Sequence, residues 1–498
     1  MLLIPLNKAS KEPLYKQIVH KISHMIESGK LKEDEVLPST RQLADTLQVS
    51  RQTVVQAYEE LWALGYLKSS SGSYTKVRKR PSTAQKENRA NPKIDFSNLV
   101  GAEKSRQLKE MSKRYESLEQ TERKLIDMSV MNLDSSIFPL KAFQKSMNKV
   151  FREYPKSTLN YGQTAGYGKL RKWISNRMLQ HSIDVYPDEV ILTNGISHGF
   201  ELILKLFTSP GDTVITESPG YRIAINLMKM HQLNIVEIPL KAEGPDLEIF
   251  DRELRRCRGE GVKPKLFYTV PTFQNPTGII TSQEHRERLL SLCTAYNIPI
   301  IEDSFEEEIT YFDKKILPVK SMDKEQIVFY LGTFSKVLFP GIRVGWIAGE
   351  QDCIRQINII KKMSYMSDNT LTHTALYEFC NNGNYETFLK KVNRYYGQKM
   401  EKAISLMQRN LTMEECHWNT PAGGYLFWVK IDRSFEKESV FLNTCEKNGI
   451  KVSGGSEFFL SKPDAIYFRI CISSLSDKEL ENGILLLGRS IRDFLKGD

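Results

Sequence analysis

The stretch GTFSKVLFPGIRVGW, residues 332–346, decides how the chain is read. Lys336 follows IVFYLGT, an apolar run with the composition of a buried strand. Two small hydroxylated residues, Thr333 and Ser335, stand beside it, and Arg343 follows a Pro-Gly turn seven residues on. Hydroxyls and a guanidinium near a lysine describe a phosphate cradle beside a nucleophilic amine. Outward from this point, EVILTN, DTVITE, PKLFYTV and IPIIED are short apolar runs separated by amphipathic stretches. That alternation predicts an α/β fold with a mostly parallel sheet from Ile126 onward. After about residue 380 the pattern changes to a long helix (YETFLKKVNRYYGQKMEKAISLMQRN), then strands and a last helix, which predicts a smaller α+β lobe at the C-terminal end.

Other stretches bear on the lysine. In ILTNGISHGF a predicted strand ends in a small-residue turn, so the N–H groups of Gly195, Ile196 and Ser197 open a helix at an anion site. His198 in the same turn reads as an ordinary residue of a helix N-terminus. Tyr221 in ESPGY follows a strand end, where its ring can stack on a flat ligand. Asn275 lies in the turn QNPTG with an amide to donate, and Asp303 ends the apolar run IPIIED. A carboxylate there needs a cationic partner, which a pyridinium N–H supplies. Arg469 in YFRICI suits a bidentate grip on a carboxylate. Taken singly, Lys336 reads as a loop lysine, Asp303 as a helix cap and Arg469 as a structural ion pair. Taken together they are what pyridoxal 5′-phosphate requires: an amine, phosphate donors and a ring-nitrogen partner.

The opposite end of the chain has a different pattern. PLYKQIVHKISHMIESG is an amphipathic helix with Gly29 as its stop, and LPSTRQLADTLQVSRQTVVQAYEELWALGYL gives two more, capped by Ser39 and Ser50 around a turn at Val49. Leu43, Ala44, Leu47, Val54, Tyr58 and Leu61 are the expected core between them. This is a helix–turn–helix pattern, whose second helix enters the major groove of DNA. Ser39, Arg41, Ser50, Arg51, Gln52 and Thr53 are the candidate contacts to phosphates and base edges, and YLKSSSGSYTKV reads as a hairpin wing turning at Gly72.

Composition sets the frame. The chain has 498 residues, 40% apolar and 26% charged, as ordinary globular proteins do. The boundaries read from the sequence are a helix–turn–helix module at 10–77, a linker at 78–125 and a large domain at 126–498. Of the net charge of +10, residues 78–125 carry +6, with thirteen Lys/Arg against seven Asp/Glu. That linker begins RKRPSTAQKENRANPK, and KSRQLKEMSKRYESLEQTERKL near its end has the makings of a charged helix. A charge excess confined to one end fits either a polyanion partner or a solvated linker. Seven scattered cysteines without a C-x-x-C argue for reduced thiols in the cytoplasm and against a disulfide framework or metal site. No signal peptide is expected, and no apolar run reaches the ~18 residues of a membrane span.

The N-terminal stretches PLYKQI, G-K-L-x5-LPSTRQLA and VSRQTVVQAYEEL resemble the winged helix–turn–helix of GntR-type bacterial regulators. The later stretches NYGQTAGYGKLRKWI, ILTNGISHGF, ESPGY, QNPTGII, FSKVLFPGIRVGW, PAGGYLFW and FRICIS resemble the fold-type I aminotransferases of class I/II in order and spacing. Both on one chain resemble the MocR subgroup of GntR-type regulators. The resemblance implies a homodimer, often head-to-tail, that binds double-stranded DNA and uses its large domain as a sensor for an amine, an amino acid or pyridoxal phosphate itself. It implies Lys336 as the Schiff-base lysine, Asp303 on the ring nitrogen, Asn275 on the ring oxygen and Tyr221 stacked on the ring. Gly195, Ile196, Ser197, Thr333, Ser335 and Arg343 would hold the phosphate, with Tyr161 reaching it across the dimer. Arg469 would take an effector carboxylate.

Two departures stand out. Ser71 occupies the place of the family's wing arginine, which shifts that contact to Lys68 or Lys76 or weakens it. Phe305 stands where the family usually has a tyrosine that hydrogen-bonds the ring oxygen. The alternative reading is a working aminotransferase with an attached DNA-binding domain. A regulator that has lost the cofactor is disfavoured, because Lys336, Asp303, Asn275 and Arg343 are all present.

Overall fold

The computed structural model describes residues 4–8, 10, 12–70, 74–78, 100–101, 105, 108–109, 125–311 and 316–497. Gly72, Ser71 and nearly all of the expected charged linker helix lie outside them. The chain divides into two units, Met1–Leu108 and Lys109–Asp498.

In the first unit, α1 (Leu14–Glu27), α2 (Thr40–Leu47) and α3 (Arg51–Ala63) precede the hairpin β1 (Leu67–Ser70) and β2 (Tyr74–Val77). Gly29 lies just past α1 at φ +75°, a backbone conformation that favours glycine. Ser39 caps α2 with a reciprocal bond to Gln42, and Gln48 ends it at φ 49°. Ser50 caps α3 by accepting from the Thr53 N–H. Ile18, Ile22, Leu43, Val54, Ala57, Tyr58 and Leu61 form the core, with Leu47 packed at its edge. The hairpin pairs antiparallel with Leu67 opposite Val77 and Lys68 opposite Lys76.

The second unit is built on an eight-stranded sheet. Its members are β4 (Val190–Thr193), β5 (Thr213–Ser218), β6 (Asn234–Lys241), β7 (Gly244–Pro245), β8 (Phe267–Thr269), β9 (Ile300–Asp303), β10 (Val328–Thr333) and β11 (Gly345–Ala348). They lie in the order β4-β11-β10-β9-β8-β5-β6-β7. The stretch from β10 through β6 is parallel, while β11 runs against both β4 and β10. The central parallel strands β8, β9 and β10 are wholly buried because helices such as Ile196–Phe207 and Gln283–Ala295 return the chain across the sheet, whereas the outer β6 is half-exposed.

The smaller lobe follows the 27-residue helix Asn384–Asn410. Strands β12 (Cys416–Trp418), β13 (Leu426–Ile431), β15 (Ser453–Gly454) and β16 (Ile466–Cys471) form its antiparallel sheet, closed by the helix Asp477–Lys496. A short β3 (Ile126–Asp127) pairs in parallel with β14 (Ile450–Lys451). The first residues of the predicted large domain therefore belong with its last lobe, which no local pattern announces.

Candidate cofactor site and DNA-facing helix

Strand ends bring the site together. In β9 side chains alternate between faces. The buried Glu302 carboxylate accepts from the Val319 and Lys320 N–H groups, 2.8 Å each, and Asp303 points the other way. Asp303 Oδ2 accepts from the Tyr268 hydroxyl at 2.5 Å, while Oδ1 is buried without a partner. Burial pushes the Asp303 carboxyl up to about 7, against its donors. A buried acceptor left open in this way awaits a donor, and the N–H of a pyridinium has the right chemistry.

The turn expected to cradle a phosphate is built around a glycine. Gly195 opens the helix Ile196–Phe207 at φ +89°, and a Cβ there would lie 2.6 Å from Arg343 Nη2. Arg343 itself has φ 50°, unusual for a branched-off side chain, and donates to the Asn194 carbonyl at 2.9 Å and the Ser335 hydroxyl at 3.4 Å. The Ser335 N–H donates to the Thr333 hydroxyl, 3.1 Å. Gly195, Thr333, Ser335 and Arg343 are thus gathered at one helix N-terminus, with the backbone of Ile196 and Ser197 in its first turn. His198 accepts from the Asn194 N–H through Nδ1 at 3.0 Å, and burial pushes it down to about 4, so it is neutral.

Lys336 is largely enclosed and donates to the Met131 carbonyl at 2.6 Å. Burial holds its amine below the usual lysine range, with Glu306 opposing that shift. Arg469 joins the small lobe to the Asn275 turn: it donates to Asn275 Oδ1 at 2.8 Å, to the Ser129 carbonyl at 2.9 Å and to the Ser453 hydroxyl at 3.3 Å. Its guanidinium lies 5.0 Å from the Phe458 ring centre. Tyr221 precedes the helix Arg222–Met230, and burial raises its phenol, with Asp303, Arg469 and Arg343 among the charges it feels. Tyr161 is 76% exposed and is not brought to this cluster within the chain. These residues fit pyridoxal phosphate: an amine, an anion cradle and an open carboxylate in one neighbourhood.

The sequence reading missed several participants. Tyr268 is hidden in an apolar strand, and Glu306 in a run of three glutamates that looks like a solvated face. Ser129 and Met131 act through main-chain carbonyls, which leave no side-chain signal at all.

On the helix–turn–helix, the Ser50 and Thr53 hydroxyls are 2.8 Å apart and serve the cap. Arg51 and Gln52 are exposed in the first turn of α3, as Arg41 is in α2. Lys68, one substitute for the wing arginine, pairs with Asp34 at 2.7 Å.

A winged helix–turn–helix joined to a fold-type I aminotransferase body defines a MocR-type regulator. Residues 14–77 match the family of bacterial regulatory proteins of the gntR type, and residues 101–485 match aminotransferase class I and II. The chain belongs to the class I and II aminotransferase family, with a GntR-family module at its N-terminus. It is 30% identical to the HTH-type transcriptional regulator YdfD of Bacillus subtilis, covering 98% of each chain. It is 28% identical to aromatic-amino-acid aminotransferase 1 of Thermococcus litoralis, over 72% of this chain and 86% of that one. Among solved structures, the multiple substrate aminotransferase of Thermococcus profundus superposes with a TM-score of 0.74 at 26% identity, over 81% of this chain and all of the other.

Proposed function

We propose that this chain is a cytoplasmic transcription regulator that carries pyridoxal 5′-phosphate on Lys336 and reads an amine, an amino acid or the cofactor itself. The observation that carries the reading is the buried Asp303 Oδ1, left without a partner beside Lys336 and the Arg343 cradle. When bound, the cofactor supplies an aldehyde for covalent attachment to a primary amine and a ring that accepts electrons. The chain's residues do the rest. Asp303 holds the ring-nitrogen proton, and Asn275 donates to the ring oxygen while Arg469 fixes its amide. Tyr221 covers the ring, and Gly195, Ile196, Ser197, Thr333, Ser335 and Arg343 bind the phosphate. Arg469 also offers charge to an effector carboxylate. Tyr161 completes the phosphate site of a second subunit in a homodimer. Ser39, Arg41, Ser50, Arg51, Gln52 and Thr53 hold double-stranded DNA. The relatives named as transcriptional regulators over nearly the full chain support this reading above that of a working transaminase.

The experiment is borohydride reduction of the protein after incubation with pyridoxal phosphate, followed by peptide mass mapping. The expected result is a visible absorption band and a pyridoxyl adduct on Lys336, absent in Lys336→Ala. Amino acids should then change the spectrum and the affinity for promoter DNA without sustained turnover with a 2-oxo acid. A colourless protein with nothing fixed at Lys336 overturns the reading. Repeated turnover favours the alternative, an aminotransferase with an attached DNA-binding domain.

A further inference from the structure

The second unit carries a row of cations that the cofactor site does not use. The helix Leu140–Glu153 reads LKAFQKSMNKVFRE, with Lys141, Lys145 and Lys149 four residues apart and Arg152 three beyond. Positions four apart lie on one helix face, each about 6 Å further along the axis. The four cations therefore form a ridge about 16 Å long. Ser146 and Val150 are buried beneath it, and Phe143 meets Phe379 of the helix Thr370–Asn381 edge-on, so the ridge stands on an anchored helix.

The ridge borders a groove of about 600 Å³. Asn148, Asn382 and Asn384 add polar groups to it, and among the described residues no carboxylate lines it. Asn384 opens the 27-residue helix Asn384–Asn410, whose N-terminus has no side-chain cap. The first N–H groups of a helix lack intrahelical partners and favour an anion. Glu386 stands in that first turn but does not line the groove. On the ridge, Lys149 is tied to the buried Glu378 at 2.5 Å and lies 3.9 Å from Glu153. The Arg152 side chain meets Glu153 at 3.3 Å and is still 75% exposed. Lys141 and Lys145 are exposed, and neither is paired with a carboxylate among the described residues. Solvated lysines need no partner; what marks this set is its alignment beside a groove that a helix N-terminus also enters and no acid neutralises.

We propose that this groove is a second DNA contact, which takes the phosphate backbone of the duplex without reading its sequence. The inference rests on the reading of the chain as a DNA-binding regulator and deepens it. Lys141, Lys145 and Arg152 meet phosphates, the helix N-terminus and the asparagines add neutral donors, and Lys149 keeps its place on Glu378. Length favours a strand over a free ion: a DNA strand carries one charge per about 3.4 Å of axis, so the ridge spans several phosphates, whereas a single small anion leaves most of it empty. Contacts of this kind release counterions, add affinity without base specificity and make binding steeper in salt.

The test is a salt titration of the full-length protein on a mixed-sequence duplex, read by fluorescence anisotropy, with wild type compared to Lys141→Gln/Lys145→Gln/Arg152→Gln. The slope of log affinity against log salt should become shallower by about 2–3 in the variant, close to one per cation removed. All three side chains are exposed, so the melting temperature should hold. If the triple variant does not fold, Lys145→Glu alone should flatten the slope by about one. The same increment should be lost on an Arg51→Ala background, which separates the groove from the helix–turn–helix. A folded variant with the wild-type slope overturns the proposal, and stabilisation of wild type alone by inorganic phosphate would then mark a small-anion site. A wild-type protein that binds no duplex overturns the DNA-binding reading as well.

Discussion

Asp303 shows what burial does to a single atom. Its carboxyl is pushed up to about 7 from an ordinary 3.8, as Glu217 and Glu302 are pushed to about 7 from 4.5 by the same loss of water. The folded state then binds more protons than the unfolded chain between those values. This contribution to stability is complete below about pH 4 and is lost as pH rises through 7. Each such group contributes about 1.4 kcal/mol per pH unit across its window. The cofactor-free protein should therefore melt at lower temperature at pH 8 than at pH 5.5, and Asp303→Asn should flatten that slope in a calorimetric series. An unchanged slope would mean that Asp303 is already ionised in the folded protein. Asp303 was legible in the sequence because four apolar residues and then Glu302 lead up to it. Tyr268, which holds its other oxygen, was not, because a tyrosine in a strand is ordinary and only the parallel pairing of β8 with β9 brings the two together.

Elements were easier to read where their ends carry chemistry. Ser39 and Ser50 announce α2 and α3, and each hydroxyl is found on the backbone it was expected to cap. The cap also divides the labour in the first turn of α3. Ser50 and Thr53 are occupied with each other, whereas Arg51 and Gln52 are exposed. Ser50→Ala should cost about 1 kcal/mol of stability. Arg51→Ala should leave the melting temperature unchanged and weaken promoter binding by about 1–3 kcal/mol in a titration at fixed salt. Loss of stability with no loss of binding in Arg51→Ala would reverse these roles. What the sequence did not disclose is strand direction. GWIA in β11 has the same apolar composition as its parallel neighbours, yet it runs against them, because a short link from β10 leaves no room for a crossover helix.

At the scale of the whole molecule, the two units are legible as two chemistries: one basic and helical, one apolar and alternating. Any coupling between them is a matter of free energy. If an effector changes the affinity for operator DNA by some factor, operator DNA must change the affinity for that effector by the same factor. Calorimetric titration of the effector with and without a saturating DNA duplex measures this directly, and unequal factors would show that a third equilibrium, such as dimer dissociation, intervenes. A factor of 5–150 is the usual range.

Strand β3 is followed by a run of main-chain acceptors within the second unit. Just after it, the Met128 carbonyl accepts from the Cys471 N–H, the Ser129 carbonyl from Arg469 and the Met131 carbonyl from Lys336. Residues 128–131 thus lie across Cys471, Arg469 and Lys336, the last two proposed to meet a ligand, like a cord laid across a keyboard. A ligand that moved Lys336 or Arg469 would first disturb the Met131 and Ser129 carbonyls that those side chains hold.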